Sequence, residues 1–296
     1  MDDQRLIYWL RLLTIDGISS AQAQALLAKV GLPEEIFNAR LSTLREVVGE
    51  QLALKLRSGL THEKELLVES TLHWLRETPK ASFVALDDKN YPQSFLTSGF
   101  APIAFFAVGD LSLLVNATVS LVGSRHPDEL GAELATQWAA KLSTCEGVSV
   151  VQTDKEGIEL SAVRGVAKAN TNALIWISSQ PIANAQLQAK VNFVSTKGLI
   201  VSSVLPTKSS SDDFDQLSTR ALTLAAVNAF VVIQAGARSS ILGMMREAGD
   251  LGREVMAVPG SVYSPLSKGC HQLIKQGASL VEGTDDVLKT LKLKKL

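Results

Sequence analysis

The sequence predicts an α/β protein in which a small helical domain precedes a doubly wound parallel sheet. Two observations support this fold class. From residue 81 onward, short apolar runs rich in β-branched residues alternate with amphipathic segments of helical length. Before that point leucine, alanine, glutamate and arginine dominate at helical spacing. We therefore expect a helical domain over residues 1–78 and a sheet domain over residues 79–296.

Composition is that of a globular protein. The chain has 296 residues, of which 46% are hydrophobic and 20% are charged. No apolar run approaches the length of a membrane span, and the amino terminus lacks the plan of a secretory signal, so a cytoplasmic location is expected. The formal net charge is −1, so any nucleic-acid binding must come from a local basic patch.

Cysteine and histidine usage argues against a metal or disulfide framework. Cys145 and Cys270 are the two cysteines, and they are too far apart in sequence to form a C-x-x-C motif. The four histidines show no spacing typical of metal ligands. We therefore predict that the protein carries no metal and no cofactor.

The helical domain opens with an apolar face that starts at Leu6 and Trp9. The segment from Ile15 to Leu27 contains a glycine turn and a serine able to cap the helix that follows. Helix-hairpin-helix modules have this pattern and offer backbone N–H groups to DNA phosphates. The same residues also fit an ordinary helical hairpin, which is the commoner meaning of such a pattern.

The sheet domain is predicted from alternating strands and helices. We expect strands near residues 83–86, 103–108, 117–122, 148–151, 173–178, 199–202, 229–234 and 254–258. Helices are expected near residues 130–142, 158–169, 215–226, 240–251 and 270–276. In such a fold the ligand site lies beyond the carboxyl ends of the parallel strands.

The central motif is the turn Gly123-Ser124-Arg125, which joins the strand at residues 117–122 to an amphipathic helix. Pro127 fits the first position of that helix, and the acidic residue after it suits the positive end of the helix. A hydroxyl, a guanidinium and free N–H groups beside a helix start favour an anion. An ordinary turn in an α/β domain has the same pattern.

A second turn repeats this chemistry. After the strand that ends near residue 234, Arg238, Ser239 and Ser240 precede a helix. Because the carboxyl ends of parallel strands share one edge, Arg125 and Arg238 are expected around a common crevice. In the alternative interpretation the two serines only cap the helix, and Arg238 is a solvated surface charge.

Common enzyme templates are missing from the sequence. There is no G-x-G-x-x-G, no G-x-x-x-x-G-K-[ST] and no G-x-S-x-G motif. Cys270 and His271 are adjacent, and adjacent residues of a helix do not face each other. We therefore expect a binding protein rather than an enzyme.

Several of these motifs resemble a known family. Residues 252–282 are similar to the carboxyl-terminal signature of the DNA-processing protein A (DprA/Smf) family, and residues 122–125 resemble its V-G-S-R turn. Residues 88–92 resemble its D-x-x-Y-P entry, Gly109-Asp110 its G-D, and residues 238–242 its basic-S-G-S-L loop.

This resemblance implies an extended Rossmann-like sheet domain behind a SAM or helix-hairpin-helix type helical domain. It also implies a homodimer that binds single-stranded DNA and helps to load a RecA-type recombinase during natural transformation.

The sequence departs from the family in the centre of the sheet domain. Residues 152–159 read Q-T-D-K-E-G-I-E where the family has S-G-x-A-R-G-I-D, so Glu156 replaces an arginine. Residues 178–183 and Ser202-Ser203 replace two further motifs of the family. Because each lost cation removes a phosphate contact, we expect weak DNA binding.

The predicted DNA-binding residues are glycines, hydroxyls and cations of the turns and the helix starts. They are Gly123, Ser124, Arg125, Gly157, Arg164, Arg238, Ser239, Ser240 and Lys268. Phe214 is the best candidate for stacking on a base. Two alternatives stay open: a relative that has lost DNA binding and acts as an interaction or regulatory subunit, and an enzyme acting on a nucleotide phosphate.

Overall fold

A computed structural model gives the fold and describes residues 2–96, 101–184, 198–209 and 213–292. The strands are β1 (Ala81–Ala85), β2 (Ala104–Gly109), β3 (Ala117–Val122), β4 (Val148–Thr153), β5 (Leu174–Ile177), β6 (Leu199–Ser202), β7 (Ala229–Val232), β8 (Glu254–Ala257) and β9 (Ser279–Leu280). The first seven helices are α1 (Asp3–Leu13), α2 (Ser20–Lys29), α3 (Pro33–Asn38), α4 (Leu41–Val48), α5 (Glu50–Arg57), α6 (His62–Glu77) and α7 (Gln93–Leu96). The others are α8 (Glu129–Ser143), α9 (Ile158–Ala169), α10 (Asp213–Ala226), α11 (Ile241–Asp250), α12 (Lys268–Lys275) and α13 (Thr284–Thr290).

The nine strands of the described residues join one sheet in the order β1-β2-β6-β5-β4-β3-β7-β8-β9. The pairs β1/β2 and β2/β6 are antiparallel, and every other neighbouring pair is parallel. The chain winds outward from β3 through β4 and β5 to β6, then returns to the other side of β3 with β7. This is the predicted doubly wound sheet, and its direction reverses between β3 and β7.

Helices cover both faces of the sheet. On one face Trp138 of α8 and Ile158 of α9 pack with Val119 and Val150 of the central strands. On the other face helices α10, α11 and α12 form a second core, in which Phe230 is fully buried. Strands covered on both faces explain the continuous apolar runs in the sequence. Within the described residues no helix is both long and apolar enough to span a bilayer.

The helical region packs directly against the sheet. Helices α1 to α6 end at Glu77, and the first strand begins at Ala81. Leu10 of α1 and Leu72 of α6 belong to the core that also holds Phe106 of β2. Helix α2 starts with a complete capping box, because Ser19 and Gln22 bond to each other's backbone N–H groups. The predicted glycine turn and the serine-capped helix after it are therefore present.

Strands β3 and β4 separate toward their carboxyl ends. Their paired residues run from Ala117 with Val148 to Val119 with Val150. Beyond that pair the Gln152 amide faces Leu121; when the amide is assigned with its nitrogen toward the Leu121 carbonyl, it donates there at 3.1 Å and accepts from the Leu121 N–H at 3.0 Å. Gln152 is fully buried, so this amide fills the gap with satisfied hydrogen bonds.

Helices α8 and α9 touch through a glycine. A Cβ atom added to Gly165 of α9 would lie 2.1 Å from the carbonyl oxygen of Thr136 in α8, which is far inside van der Waals contact. Thr136 also donates its hydroxyl to the carbonyl of Ser161 at 3.1 Å. The two helices can approach this closely only because Gly165 has no side chain.

Replacing Gly165 by alanine should force α8 and α9 apart and lower the free energy of unfolding by about 1–3 kcal/mol. The matched control is Gly243→Ala in α11, where an added Cβ meets nothing within 4 Å. That change should raise the free energy of unfolding by about 0.5–1 kcal/mol. Urea unfolding measures both values, and equal effects of the two substitutions would contradict the described contact.

Candidate functional site

The two arginine-bearing turns leave neighbouring strands at the point where the sheet reverses direction. Strand β3 pairs with β7 in parallel, with Val122 opposite Val232. The turn of Arg125 follows β3, and the turn of Arg238 follows β7. Since neighbouring strands lie about 4.8 Å apart, both turns lie side by side at the carboxyl edge.

A main-chain hydrogen bond joins the two turns. The N–H of Ser124 donates to the carbonyl of Gln234 at 2.7 Å. Gly123 makes this approach possible, because a Cβ atom there would lie 2.5 Å from the same carbonyl oxygen. The first turn therefore needs glycine at position 123.

The side chain of Gln234 ties the second turn to the start of α8. Its amide nitrogen donates to Asp128 Oδ1 at 2.7 Å, and its oxygen accepts from the N–H of Asp128 at 3.2 Å. Asp128 is the residue that caps α8, accepting from the N–H of Gly131 at 2.8 Å. The prediction that Pro127 occupies the first helical position is wrong, because the Asp128 cap starts the helix at Glu129.

The start of α9 packs directly against the first turn. Gly157 precedes the helix with a φ of 78°, and the N–H of Ile158 donates to the carbonyl of Ser124 at 3.1 Å. A Cβ atom at position 157 would lie 2.2 Å from that carbonyl oxygen and 2.6 Å from the Cα atom of Arg125. Gly157 is therefore part of the site through its backbone.

The start of α12 holds the second turn in a similar way. The N–H of Gly269 donates to the carbonyl of Ala235 at 2.8 Å, and the N–H of Ala235 donates to the carbonyl of Leu266 at 2.7 Å. Lys268 is exposed beside these bonds, and its ammonium donates to the carbonyl of Val262 at 2.5 Å. The structure thus brings Lys268 to the same edge as both arginines.

The guanidinium groups of the two turns have no ion-pair partner among the described residues. In the described part of the chain, no carboxylate lies within 4.0 Å of the guanidinium of Arg125 or Arg238. The N–H groups of Arg125, Ala237 and Arg238 also donate to no acceptor among those residues. Unpaired guanidinium groups and free N–H groups at one edge form a site suited to an anion.

The serines of the turns have local roles. Ser124 accepts from the N–H of His126 at 3.1 Å, and Ser239 accepts from the N–H of Ile241 at 3.4 Å. Ser240 is exposed and its side chain makes no capping hydrogen bond. The hydroxyls of Ser124 and Ser239 therefore help to fix the backbone conformation of the two turns. The hydroxyl of Ser240 is available at the surface.

Arg164 stands apart from the other predicted residues. It lies on the exposed face of α9, six residues after Ile158, so it is about 9 Å along the helix from the site. No described contact joins it to either turn. The structure therefore groups eight of the nine predicted residues and leaves Arg164 outside the group.

Two acidic residues of the divergent segment after β4 differ in their exposure to solvent. Glu156 is exposed next to Gly157, beside the first turn. Glu159 is buried and accepts from the Thr153 N–H at 3.2 Å and from its hydroxyl. Burial raises the pKa of the Glu159 carboxyl above its usual range, against the opposing effects of Lys155 and of these hydrogen bonds. Of these two residues, only Glu156 is exposed at the edge.

Beyond β4, several polar groups at the carboxyl edge form hydrogen bonds with one another. Asp154 accepts from the N–H and the hydroxyl of Ser179 at 3.1 and 2.6 Å. Ser202 donates its hydroxyl to the carbonyl of Ser178 at 3.0 Å. Most of these described polar groups therefore bond within the protein, although the buried Ser203 hydroxyl has no hydrogen-bond partner among the described residues.

Two further residues belong to α10. Arg220, on α10, pairs with Glu247 and is therefore engaged within the protein. The side chain of Phe214 lies outside the described part of the structure.

Sequence reasoning missed Gln234, although a polar residue directly after an apolar strand was a signal that could have identified it.

A comparison with protein families matches residues 82–292 to the model described as DNA recombination-mediator protein A. The chain belongs to this DNA recombination-mediator protein A family. The match covers the whole sheet region from β1 to α13, including both turns. The predicted relationship to the DprA/Smf family is confirmed.

One of the relatives extends the likeness to the helical region. Protein Smf of Escherichia coli is 28% identical over 291 residues, which are 96% of this chain and 74% of that protein. DNA processing protein DprA of Streptococcus pneumoniae is 30% identical over 212 residues, which are 70% of this chain and 73% of the relative.

Solved structures of family members share the fold. The X-ray structure of DprA from Streptococcus pneumoniae superposes with a TM-score of 0.76 at 22% identity, covering 98% of this chain and 99% of that chain. DNA processing protein A from Helicobacter pylori, whose structure was described for its single-stranded DNA binding mode, gives a TM-score of 0.60 at 20% identity. That match covers 72% of this chain and 96% of the other. The predicted extended Rossmann-like fold is confirmed.

Proposed function

We propose that this protein binds single-stranded DNA at the carboxyl edge of its sheet and acts in DNA uptake and recombination. The observation that carries the proposal is the pair of turns holding Arg125 and Arg238 at the switch point, where neither guanidinium has a carboxylate partner among the described residues. The Helicobacter pylori relative, described for binding single-stranded DNA, supports the choice of ligand.

Binding is dominated by phosphate contacts. The two arginines, the exposed charge of Lys268 and the free N–H groups of the turns all suit phosphate oxygens. Glu156 lies beside the first turn and repels the same phosphates. Affinity is therefore modest and falls steeply as salt concentration rises.

The site binds and does not react. The buried carboxylate of Glu159 is held by Thr153, and its nearest cation, Lys155, lies 4.0 Å away. This pairing positions the loop before α9 and leaves the carboxylate without access to a ligand at the edge. We accordingly propose a non-enzymatic protein.

Further parts of the proposal come from the family resemblance. The protein is proposed to be cytoplasmic, to form a homodimer, and to help load a RecA-type recombinase on the DNA that it holds. The helical domain over residues 1–78 and the sheet domain over residues 79–296 are proposed as its two units. Sedimentation at micromolar concentration tests the dimer.

A double variant carrying Arg125→Ala and Arg238→Ala should bind a labelled single-stranded oligonucleotide at least about tenfold more weakly than the wild type. Two phosphate contacts are lost, so the slope of log affinity against log salt should become shallower by about 1.4. Fluorescence anisotropy over a series of salt concentrations measures both quantities.

Arg40→Ala is the matched control, because Arg40 is an exposed arginine of the helical domain with no described ion pair. It should leave affinity and slope unchanged. If the double variant bound as well as the wild type, the site would be misplaced. If wild-type protein showed no salt-sensitive binding at micromolar concentration, the alternative of a relative that has lost DNA binding would replace this proposal.

Glu156→Gln should bind the same oligonucleotide about twofold to fivefold more tightly at low salt, since a repulsive charge beside the phosphates is removed. Glu146→Gln is the control, because Glu146 is exposed at the other end of the same strand, β4. That position is roughly 20 Å from Glu156, which exceeds the Debye length of about 10 Å at 0.1 M salt. Equal gains in the two variants would show that only net charge matters.

A further inference from the structure

The loop between β8 and α12 carries an aromatic ring that the fold does not use. Tyr263 is 92% exposed, and the neighbouring Val262 is 62% exposed. Among the described residues the ring of Tyr263 makes no aromatic contact, and its hydroxyl makes no hydrogen bond. What distinguishes this ring is its place beside a candidate anion site, because proteins that bind single strands stack bases on aromatic rings next to positive charge.

The loop that presents this ring is held in one conformation. The N–H of Tyr263 donates to the hydroxyl of Ser261 at 3.2 Å, and the N–H of Ser264 donates to the carbonyl of Ser261 at 3.0 Å. At the base of the loop, His271 Nε2 lies 3.1 Å from the carbonyl oxygen of Gly260. A ring on a fixed backbone loses little conformational freedom when a ligand packs on it.

The ring lies at the same edge as the cations of the site. Strand β8 is the neighbour of β7, and the loop leaves its carboxyl end. The loop contacts the second turn through the bond between Ala235 and Leu266. The ammonium of Lys268 bonds to the carbonyl of Val262, the residue directly before Tyr263. An aromatic platform therefore stands beside positive charge, which is how proteins bind single strands without sequence preference.

We propose that Tyr263 stacks on an unpaired base of the single strand whose phosphates are held by Arg125 and Arg238. This inference rests on the proposed function. Because every base has a π face, the contact adds affinity without base preference. In a duplex the bases are already stacked on one another, so the contact also favours single strands over duplexes.

The test compares Tyr263→Ala and Tyr263→Phe in the full-length chain, with an oligothymidylate of about 16 nucleotides as the probe. The alanine variant should bind about fivefold to a hundredfold more weakly, while phenylalanine should retain wild-type affinity. The slope of log affinity against log salt should stay unchanged, because no phosphate contact is lost. Tyr263 is exposed, so the thermal midpoint should not move.

A second probe measures how much the bases contribute to the affinity. An abasic strand of the same length keeps the phosphates and removes every base, so wild-type protein should bind it more weakly than oligothymidylate. Tyr263→Ala should lose most of that difference. The control Val115→Ala changes an 86% exposed residue just before β3, at the opposite edge of the sheet, and should bind like the wild type.

The outcomes separate this inference from the proposed function. If wild-type binding depends on salt and on Arg125 and Arg238, yet Tyr263→Ala binds as tightly as the wild type, only the stacking contact is refuted. If the wild type does not bind the strand at all, both proposals fail. A Tyr263→Ala variant that loses dimerisation in sedimentation but keeps its affinity would assign the ring to contact with a second copy.

Discussion

The site depends on one constraint, which is that β3 and β7 lie side by side although more than a hundred residues separate them. The bond from the Ser124 N–H to the Gln234 carbonyl fixes the two turns against each other. Gly123 and Gly157 allow the backbones to approach this closely. With the backbone fixed, the arginines at 125 and 238 project from one edge, and their free N–H groups add to the positive potential there.

The carboxyl edge has two halves of different character. At β3, β7 and β8 the N–H groups of Arg125, Ala237 and Arg238 donate to no described acceptor, and the exposed cations Arg125, Arg238 and Lys268 lie there together with the exposed carboxylates of Asp128 and Glu129. At β4, β5 and β6, Asp154 and Ser178 are engaged in hydrogen bonds, and Gln152 fills the gap beside β3. The departures from the family motifs therefore fall in the half of the edge where most of the described polar groups bond within the protein.

Sequence alone predicts much of this arrangement. The run at residues 117–122 and the amphipathic pattern after it locate β3 and α8, and the order of strands and helices implies a shared edge for the turns. Contacts that join distant segments were not predictable in this way. The role of Gln234 depends on Asp128 being its neighbour, and the exposure of Tyr263 depends on how the β8 loop folds, since the local pattern gives neither.

Backbone amide shifts measured by NMR during titration with oligothymidylate test the central claim most directly. The account predicts the largest changes at the N–H groups of Arg125, Ala237 and Arg238, which have no acceptor among the described residues, and in residues 260–268. Smaller changes are expected beyond β4. Unchanged amides in both turns, with shifts concentrated in the helical region at residues 2–77, would contradict it.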